Sequence, residues 1–379
     1  MKEERKSNFE LLRILAMFLI ILYHCFLHTN FTVNTEEVNY IEIAIQSIGM
    51  FGIAGNVIFT LISGYFLINN KKVKTKKIIQ IILQSLTYSL VILYFFLQND
   101  LLSINKKTVF QSFLPITHQY NWYISFYFIL YILSPYINKL LTSLDKKSYK
   151  KMLLILFILW CASANIKSNA FLCNVFLYYT FVYSIGAYIR LYEKDISITT
   201  RNSVILLIST IFITIAALIC FHLLATKIEF FYNYGINIIF KNHQSIFQLL
   251  IGLFTFLVFK NLKIESNKII NTISNCTLGV YLLHENYFVR KYIWGNMFKL
   301  NLLENSPMCI LFMLAFCLTI FIVCTIIELI RKNTIEKMYM KVIDKYESKI
   351  DKFFAFIYTK YNNFLIFLGL EKKEIIDKN

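Results

Sequence analysis

The sequence predicts an all-α, polytopic membrane protein of about ten transmembrane helices, with both termini cytoplasmic. Three observations carry this. Of the 379 residues, 57% are hydrophobic and only 16% charged, against about a quarter charged in soluble domains. Apolar runs able to cross ~30 Å of hydrocarbon recur along the chain. Lys and Arg gather between alternate runs, as the positive-inside rule requires.

The runs fall at 9–28, 45–68, 78–97, 122–138, 152–166, 174–190, 203–224, 245–259, 276–293 and 308–330. With the N-terminus inside, the cytoplasmic segments 1–8, 69–77, 139–151, 190–201, 260–275 and 331–379 hold 30 Lys and Arg. The external connections hold 8. Without the tail the ratio is still 19 to 8. The +17 formal charge is therefore a topology signal, not a nucleic-acid module. Three prolines and ten glycines form no linker. We expect one membrane domain over 1–330, a cytoplasmic helical tail over 331–379, and no separate soluble enzyme domain. The eight cysteines lie mostly in apolar runs, with no Cys-x-x-Cys pair and no zinc-site spacing, so they read as small core residues.

The first run carries Arg13 and His24 inside lipid, and it is too long, and lacks the small-x-small cleavage site, for a signal peptide. Eleven residues apart on a helix, the two return to within about 20° of one direction and stand about 16 Å apart along the axis. Ionisable groups at such depth mark a functional site by default. The competing reading has Arg13 snorkelling to headgroups and His24 and His28 capping the span at the interface. Glu10 lies one turn before Arg13 and can pair with it. His24 and His28, at i and i+4, could also hold zinc, but no Glu stands between them and no further ligand is evident; no metal is expected.

The first external loop has Glu36, Glu37 and Glu42 and no base; the first cytoplasmic loop has Lys71, Lys72, Lys74, Lys76 and Lys77. Those lysines either fix orientation against anionic lipid or dock a phosphorylated donor. In the second run, Ser63-Gly64 invites close approach of another backbone. The connections 98–121 and 225–244 are aromatic, with Phe110, Phe113, His118 and Tyr120 beside Trp122, and Phe230, Phe231, Tyr232, Tyr234 and Phe240. Interfacial belts explain this, and so would stacking on a glycan. His222 and His243 fall at span ends and read as interfacial. The ninth run places His284 and Glu285 at depth, and on one continuous helix the two would point about 100° apart. In the tail, Ile335, Tyr339, Val342, Tyr346, Ile350, Phe353 and Ile357 form an apolar stripe, an amphipathic helix that lies on the inner membrane surface or continues the last span.

Asn8-Phe9-Glu10-Leu11-Leu12-Arg13 followed by His24, Phe59…Ser63-Gly64-Tyr65-Phe66, Asn121-Trp122-Tyr123 with Pro135, and Ser274…Leu278-Gly279-Val280-Tyr281-Leu282-Leu283-His284 together resemble the membrane acyltransferase-3 family over about residues 8–330. The resemblance implies an integral-membrane O-acyltransferase acting on sugars of the cell envelope, at the plasma membrane. It implies that Arg13 and His24 are the essential pair, and that no cofactor is bound, acetyl-CoA or another acyl-CoA being the donor substrate. The partners implied are acyl-CoA, an envelope glycan or lipid-linked sugar, and the bilayer; no nucleic acid is expected. Two residues depart from the family: Glu10 stands where Asp is common, and the first cytoplasmic loop has lysines where arginines are common. Lysine meets phosphate as a point charge rather than a fork.

General-base catalysis of hydroxyl attack fits a positioned histidine. His24 would be that base, or a transient acyl carrier. Arg13 would hold the donor, with Glu10, Ser63, Trp122, His284 and Glu285 in support. Two other functions suit a multi-span, sugar-facing protein. A lipid-linked sugar transporter would use Arg13 and His24 as a proton relay, but should show repeats and Gly/Pro-broken spans. A polysaccharide polymerase would need a larger external loop than 98–121.

Overall fold

The computed structural model describes residues 6–32, 37–101, 105–117, 122–167, 170–228, 230–368 and 370. Glu36, His118, Tyr120 and Asn121 lie outside the described residues. The chain is 82% helical, with no strand among the described residues. In order it forms α1 (Ser7–His28), α2 (Tyr40–Phe51), α3 (Ile53–Leu67), α4 (Thr75–Gln98), α5 (Lys106–Ser112), α6 (Trp122–Ser143), α7 (Lys146–Phe157) and α8 (Val175–Leu191). There follow α9 (Thr200–Ala225), α10 (Ile246–Asn261), α11 (Lys268–Ser274), α12 (Thr277–His284), α13 (Tyr287–Arg290), α14 (Met308–Arg331) and α15 (Lys337–Phe367).

Among the described residues, six helical stretches are long and apolar enough to cross a membrane: Ser7–His28, Tyr40–Leu67, Thr75–Gln98, Trp122–Ser143, Thr200–Ala225 and Met308–Phe367. Two shorter apolar helices, α8 and α10, coincide with expected spans. The remaining two expected spans are interrupted. The run at 152–166 passes from α7 into a π-helical turn over Ile158–Ala162 and a 3-10 turn. The run at 276–293 breaks into α12, α13 and another π-helical turn over Lys291–Met297. The connection 225–244, expected as loop, winds a π-helical segment over Tyr232–Phe240.

Stretch α2–α3 sits at the centre, 83% buried, while α9 is 17% buried and faces outward over most of its surface. Small residues decide what reaches the centre. A Cβ on Gly64 would lie 2.1 Å from the Tyr183 carbonyl oxygen, and one on Gly186 would lie 2.3 Å from that of Leu61. Helices α3 and α8 therefore meet backbone to backbone, as Ser63-Gly64 predicts. Around them Phe9, Tyr65, Tyr178, Tyr179, Tyr183 and Phe256 fill the core. Pro135, inside α6, cannot donate to the carbonyl of Tyr131; the Ser134 hydroxyl donates to it instead at 2.8 Å. Asn138 donates to the carbonyls of Leu67 and Asn70 at the end of α3 and accepts from the Tyr183 hydroxyl.

Helices α4, α12 and α14 are tied together by a buried charge cluster. Glu328 of α14 is fully buried and takes a two-pronged contact from Arg331 at 2.7 and 2.9 Å. Gln84 and Tyr88 of α4 also donate to it. Gly279 makes room, since a Cβ there would lie 2.2 Å from the carboxyl carbon. Arg331 reaches on to Glu336 and Tyr339. The tail thus continues the last span, through a π-helical turn over Lys332–Glu336. Its docking to α4 uses Gln80–Glu336 and Lys76–Asp344 contacts and Ile343, the buried residue of α15. The expected apolar stripe stays outward, with Val342, Phe353 and Ile357 exposed, as suits a membrane surface.

Of the cysteines, Cys220 alone is exposed and the other seven are buried; none forms a disulfide.

Candidate active site

Helix α1 carries the site because its face repeats at Glu10, Arg13, Met17, Ile20, His24 and His28. Its lower end is anchored by Asn8, which donates to the carbonyl of Phe259, and by Ser7, which donates to Asn271. Above that anchor the Arg13 guanidinium donates to Glu10 at 2.7 Å, and the other Glu10 oxygen accepts from Ser274 at 2.5 Å. The arginine is thereby aimed rather than loose: it stands over the Phe66 ring at 5.7 Å and lines a cavity of about 280 Å³. Ser63, Lys77, Tyr123, Tyr127, Asn275 and Tyr281 line the same space.

Three turns up, His24 is 4% exposed. Its Nδ1 is 2.9 Å from His284 Nε2 and 3.2 Å from Glu285 Oε2. The hydrogen positions follow from the partners. His284 Nδ1 lies 2.6 Å from the carbonyl of Val280, which can only accept, so that nitrogen carries the proton and Nε2 is a lone pair. His24 Nδ1 must then donate, and His24 Nε2 becomes the basic nitrogen. This is the arrangement that orients a general-base histidine: a carboxylate and an acceptor hold one nitrogen protonated so that the other is free to take a proton.

Glu285 is the hub. Besides His24 it meets His28 at 3.2 Å and accepts from Arg290 at 2.5 Å. Burying one carboxylate beside an arginine and two imidazoles is tolerable because each has a partner, whereas removing one partner strands a buried charge. On one continuous helix His284 and Glu285 would point about 100° apart; here they do not. Helix α12 ends at His284, Glu285 turns out of the helical path with φ −93° and ψ 0°, and both side chains face His24. Asn286 then starts α13 by accepting from the Phe288 amide.

Beyond Glu285, a second cavity of about 410 Å³ opens, lined by His28, Asn30, Tyr287, Arg290, Lys291, Gly295 and Asn296. His28 is fifteen residues from Arg13, which places the two cavities about 22 Å apart along α1. His24 stands between them, with the Tyr281 ring 6.2 Å and the Ile20 turn below it toward the Arg13 cavity.

The structure brings together some predicted residues and separates others. Arg13, Ser63 and Lys77 line the lower cavity, Glu10 holds Arg13 from beside it, and His24, His284 and Glu285 form the core above it. The Ser63 hydroxyl donates to the Phe59 carbonyl at 2.9 Å, the bond of a helix-packing serine. Trp122 does not line the Arg13 cavity but backs its Tyr123 ring at 5.4 Å, stacked on Tyr179 at 5.7 Å and inclined 65° to the His243 ring. Lys76 is paired with Asp344, Lys71, Lys72 and Lys74 are exposed, and of the five lysines Lys77 alone lines the cavity. The interfacial reading of His222 is corrected: it is buried, with Nε2 3.1 Å from Gln46 Oε1. His243 packs against Tyr23 and Trp122 rather than a headgroup region.

Tyr123, Tyr281 and Arg290 are site residues that sequence reasoning did not single out. Tyr281 sits one turn before His284–Glu285 in the same motif, which is the signal that could have marked it.

His24, His284 and Glu285 offer donor atoms all within 4.8 Å, a set that could hold a metal ion. The Nδ1–H of His24 nevertheless finds both its acceptors within this set, so the hydrogen bonds alone account for the geometry.

A polytopic helical protein with a buried, carboxylate-oriented histidine between two cavities is a membrane-embedded group-transfer enzyme in form. The chain belongs to the acyltransferase-3 family: the family's acyltransferase domain matches residues 6–329. No curated protein and no solved structure matches it.

Proposed function

We propose that this protein transfers an acyl group, most simply acetyl, from acyl-CoA to a hydroxyl of an envelope, capsular or exopolysaccharide sugar at the plasma membrane. The donor enters the lower cavity, whose Arg13 and Lys77 offer cations to a phosphorylated thioester on the side where Lys and Arg are dense. That side is cytoplasmic, with both termini. The acceptor approaches from the opposite end. His24 Nε2 takes the proton of the acceptor hydroxyl as its oxygen attacks the thioester carbonyl. A C–O bond forms, the C–S bond breaks, and the proton passes to the leaving thiolate, giving ester and free CoA. Positioned proton transfer of this kind is worth about a hundred- to ten-thousandfold.

The observation that carries the reading is His24 Nδ1 held by His284 and Glu285, with cavities on either side. The test is mass spectrometry of envelope glycans from cells with and without the gene. Loss of an alkali-labile acyl mass, restored by wild type but not by His24→Ala, is expected. An unchanged acyl pattern sinks the proposal. The break in the helix at His284–Glu285 favours a second reading, a transporter of lipid-linked sugar, because half-helix ends commonly line transport sites. In that case glycan export changes while ester content per sugar does not.

A further inference from the structure

The cavity at the His28 end has a charge character that acyl transfer alone does not explain. Two permanent cations, Arg290 and Lys291, line its roughly 410 Å³ together with His28 and Tyr287, and no carboxylate among the described residues lines it. The nearest carboxylate, Glu285, is already engaged by His24, His28 and Nη1 of Arg290. Lys291 is exposed and forms no ion pair among the described residues. The Arg290 guanidinium stands 5.8 Å from the Tyr287 ring centroid, leaving an aromatic surface next to the cation. A Cβ built on Gly295 would meet nothing within 4 Å, so the space is open beside the chain there.

We propose that this cavity binds the acceptor and that the acceptor is an anionic carbohydrate, a sugar bearing a carboxylate or a phosphodiester beside the hydroxyl that is acylated. The inference rests on His24 as the base of an acyl transfer. A guanidinium and an ammonium in one concavity concentrate anions, and arginine presents a fork that matches carboxylate and phosphate alike. A neutral sugar would use the Tyr287 face but would leave Lys291 without a counter-charge, Arg290 having only the shared Glu285 carboxylate. The position is also apt. Arg290 contacts both the cavity and Glu285, so an anion held by Arg290 and Lys291 stands next to the carboxylate that orients His24. The bonds exchanged are those of the transfer itself: the sugar hydroxyl proton goes to His24 Nε2, the acyl C–O bond forms and the C–S bond breaks.

The experiment separates envelope glycans on an anion exchanger before alkaline release of esters, in cells that make the protein and in cells lacking it. Ester that depends on the protein is expected in the retained, anionic fraction. Carbodiimide-coupled reduction, which removes carboxylates, and mild hydrofluoric acid, which cleaves phosphodiesters, then tell which anion carries it. Lys291→Glu should lower that ester about tenfold, a charge reversal at the binding face. Gly295→Leu, whose side chain enters open space, should lower it comparably at unchanged protein level. Lys352→Glu, the same charge change on the distant tail, should not. Protein-dependent ester in the unretained, neutral fraction overturns the proposal, and so does an ester level unchanged in Lys291→Glu. Absence of any protein-dependent ester overturns the acyl-transfer reading instead.

Discussion

His284 Nε2 and His24 Nδ1 lie 2.9 Å apart, and because the other nitrogen of His284 is committed to the Val280 carbonyl, the proton between the rings belongs to His24. The tautomer of His24 is thus set two hydrogen bonds away, by a main-chain oxygen of α12. The consequences can be measured.

Glu285→Gln keeps the shape of the hub and removes its charge. The turnover number should fall at least tenfold, with the KM for acyl-CoA nearly unchanged, because Glu285 contacts His24 and Arg290 but not the lower cavity. Initial rates at varied donor concentration check this; a rise in donor KM with unchanged turnover would contradict it.

Arg13→Ala should raise the acyl-CoA KM about ten- to a hundredfold, the worth of a charge-assisted contact. Arg13→Lys should recover only part of this, since the fork held by Glu10 is lost. Glu10→Gln should act in the same direction and more weakly, because it loosens Arg13 without removing it. The same rate measurements decide.

Treatment with a strong chelator followed by its removal should leave transfer intact, and metal analysis should find well under one ion per chain. Loss of activity restored by one added divalent cation would assign His24, His284 and Glu285 as ligands.

A cysteine at Lys74, an exposed residue before α4, should react with an impermeant maleimide only when the cytoplasmic face is opened. Labelling of intact cells would reverse the orientation proposed for both cavities.

Gly64→Val should lower the thermal midpoint in detergent and reduce the yield of folded protein. Its side chain would drive into the Tyr183 carbonyl, and overpacking of this kind costs about 1–3 kcal/mol or more. Ser63→Ala, on the same turn, should cost far less, since its hydroxyl only returns to the Phe59 carbonyl.

Much of this arrangement was legible in the sequence where a period governs it. Arg13 and His24 share a face because eleven residues nearly close three helical turns, and Glu10 pairs with Arg13 because one turn separates them. Ser63-Gly64 marked a close helix contact for the same local reason. What was not legible depends on where helices stop. A largely apolar stretch over 276–293 reads as one span, yet it breaks at His284–Glu285, and that break turns both side chains to His24. The polar run His284-Glu285-Asn286 marks the place, but polarity alone does not say that the helix stops there. Arg331 is a local i+3 partner of Glu328, but the partners of His222 and Glu328 on other helices, Gln46 of α2 and Gln84 of α4, are set far away in the chain and no local pattern encodes them.

The cluster around Glu328 bears on where this protein can be cut. The matched family region closes at 329, two residues short of the guanidinium that neutralises Glu328. A version trimmed to that boundary would retain a carboxylate fully enclosed between α4, α12 and α14 and discard its cation, a loss worth about 3–5 kcal/mol for a buried pair. The buried charge cluster therefore reaches past the matched region. Anyone shortening the tail should keep Arg331 and, with it, the first turns that hold Glu336 and Tyr339.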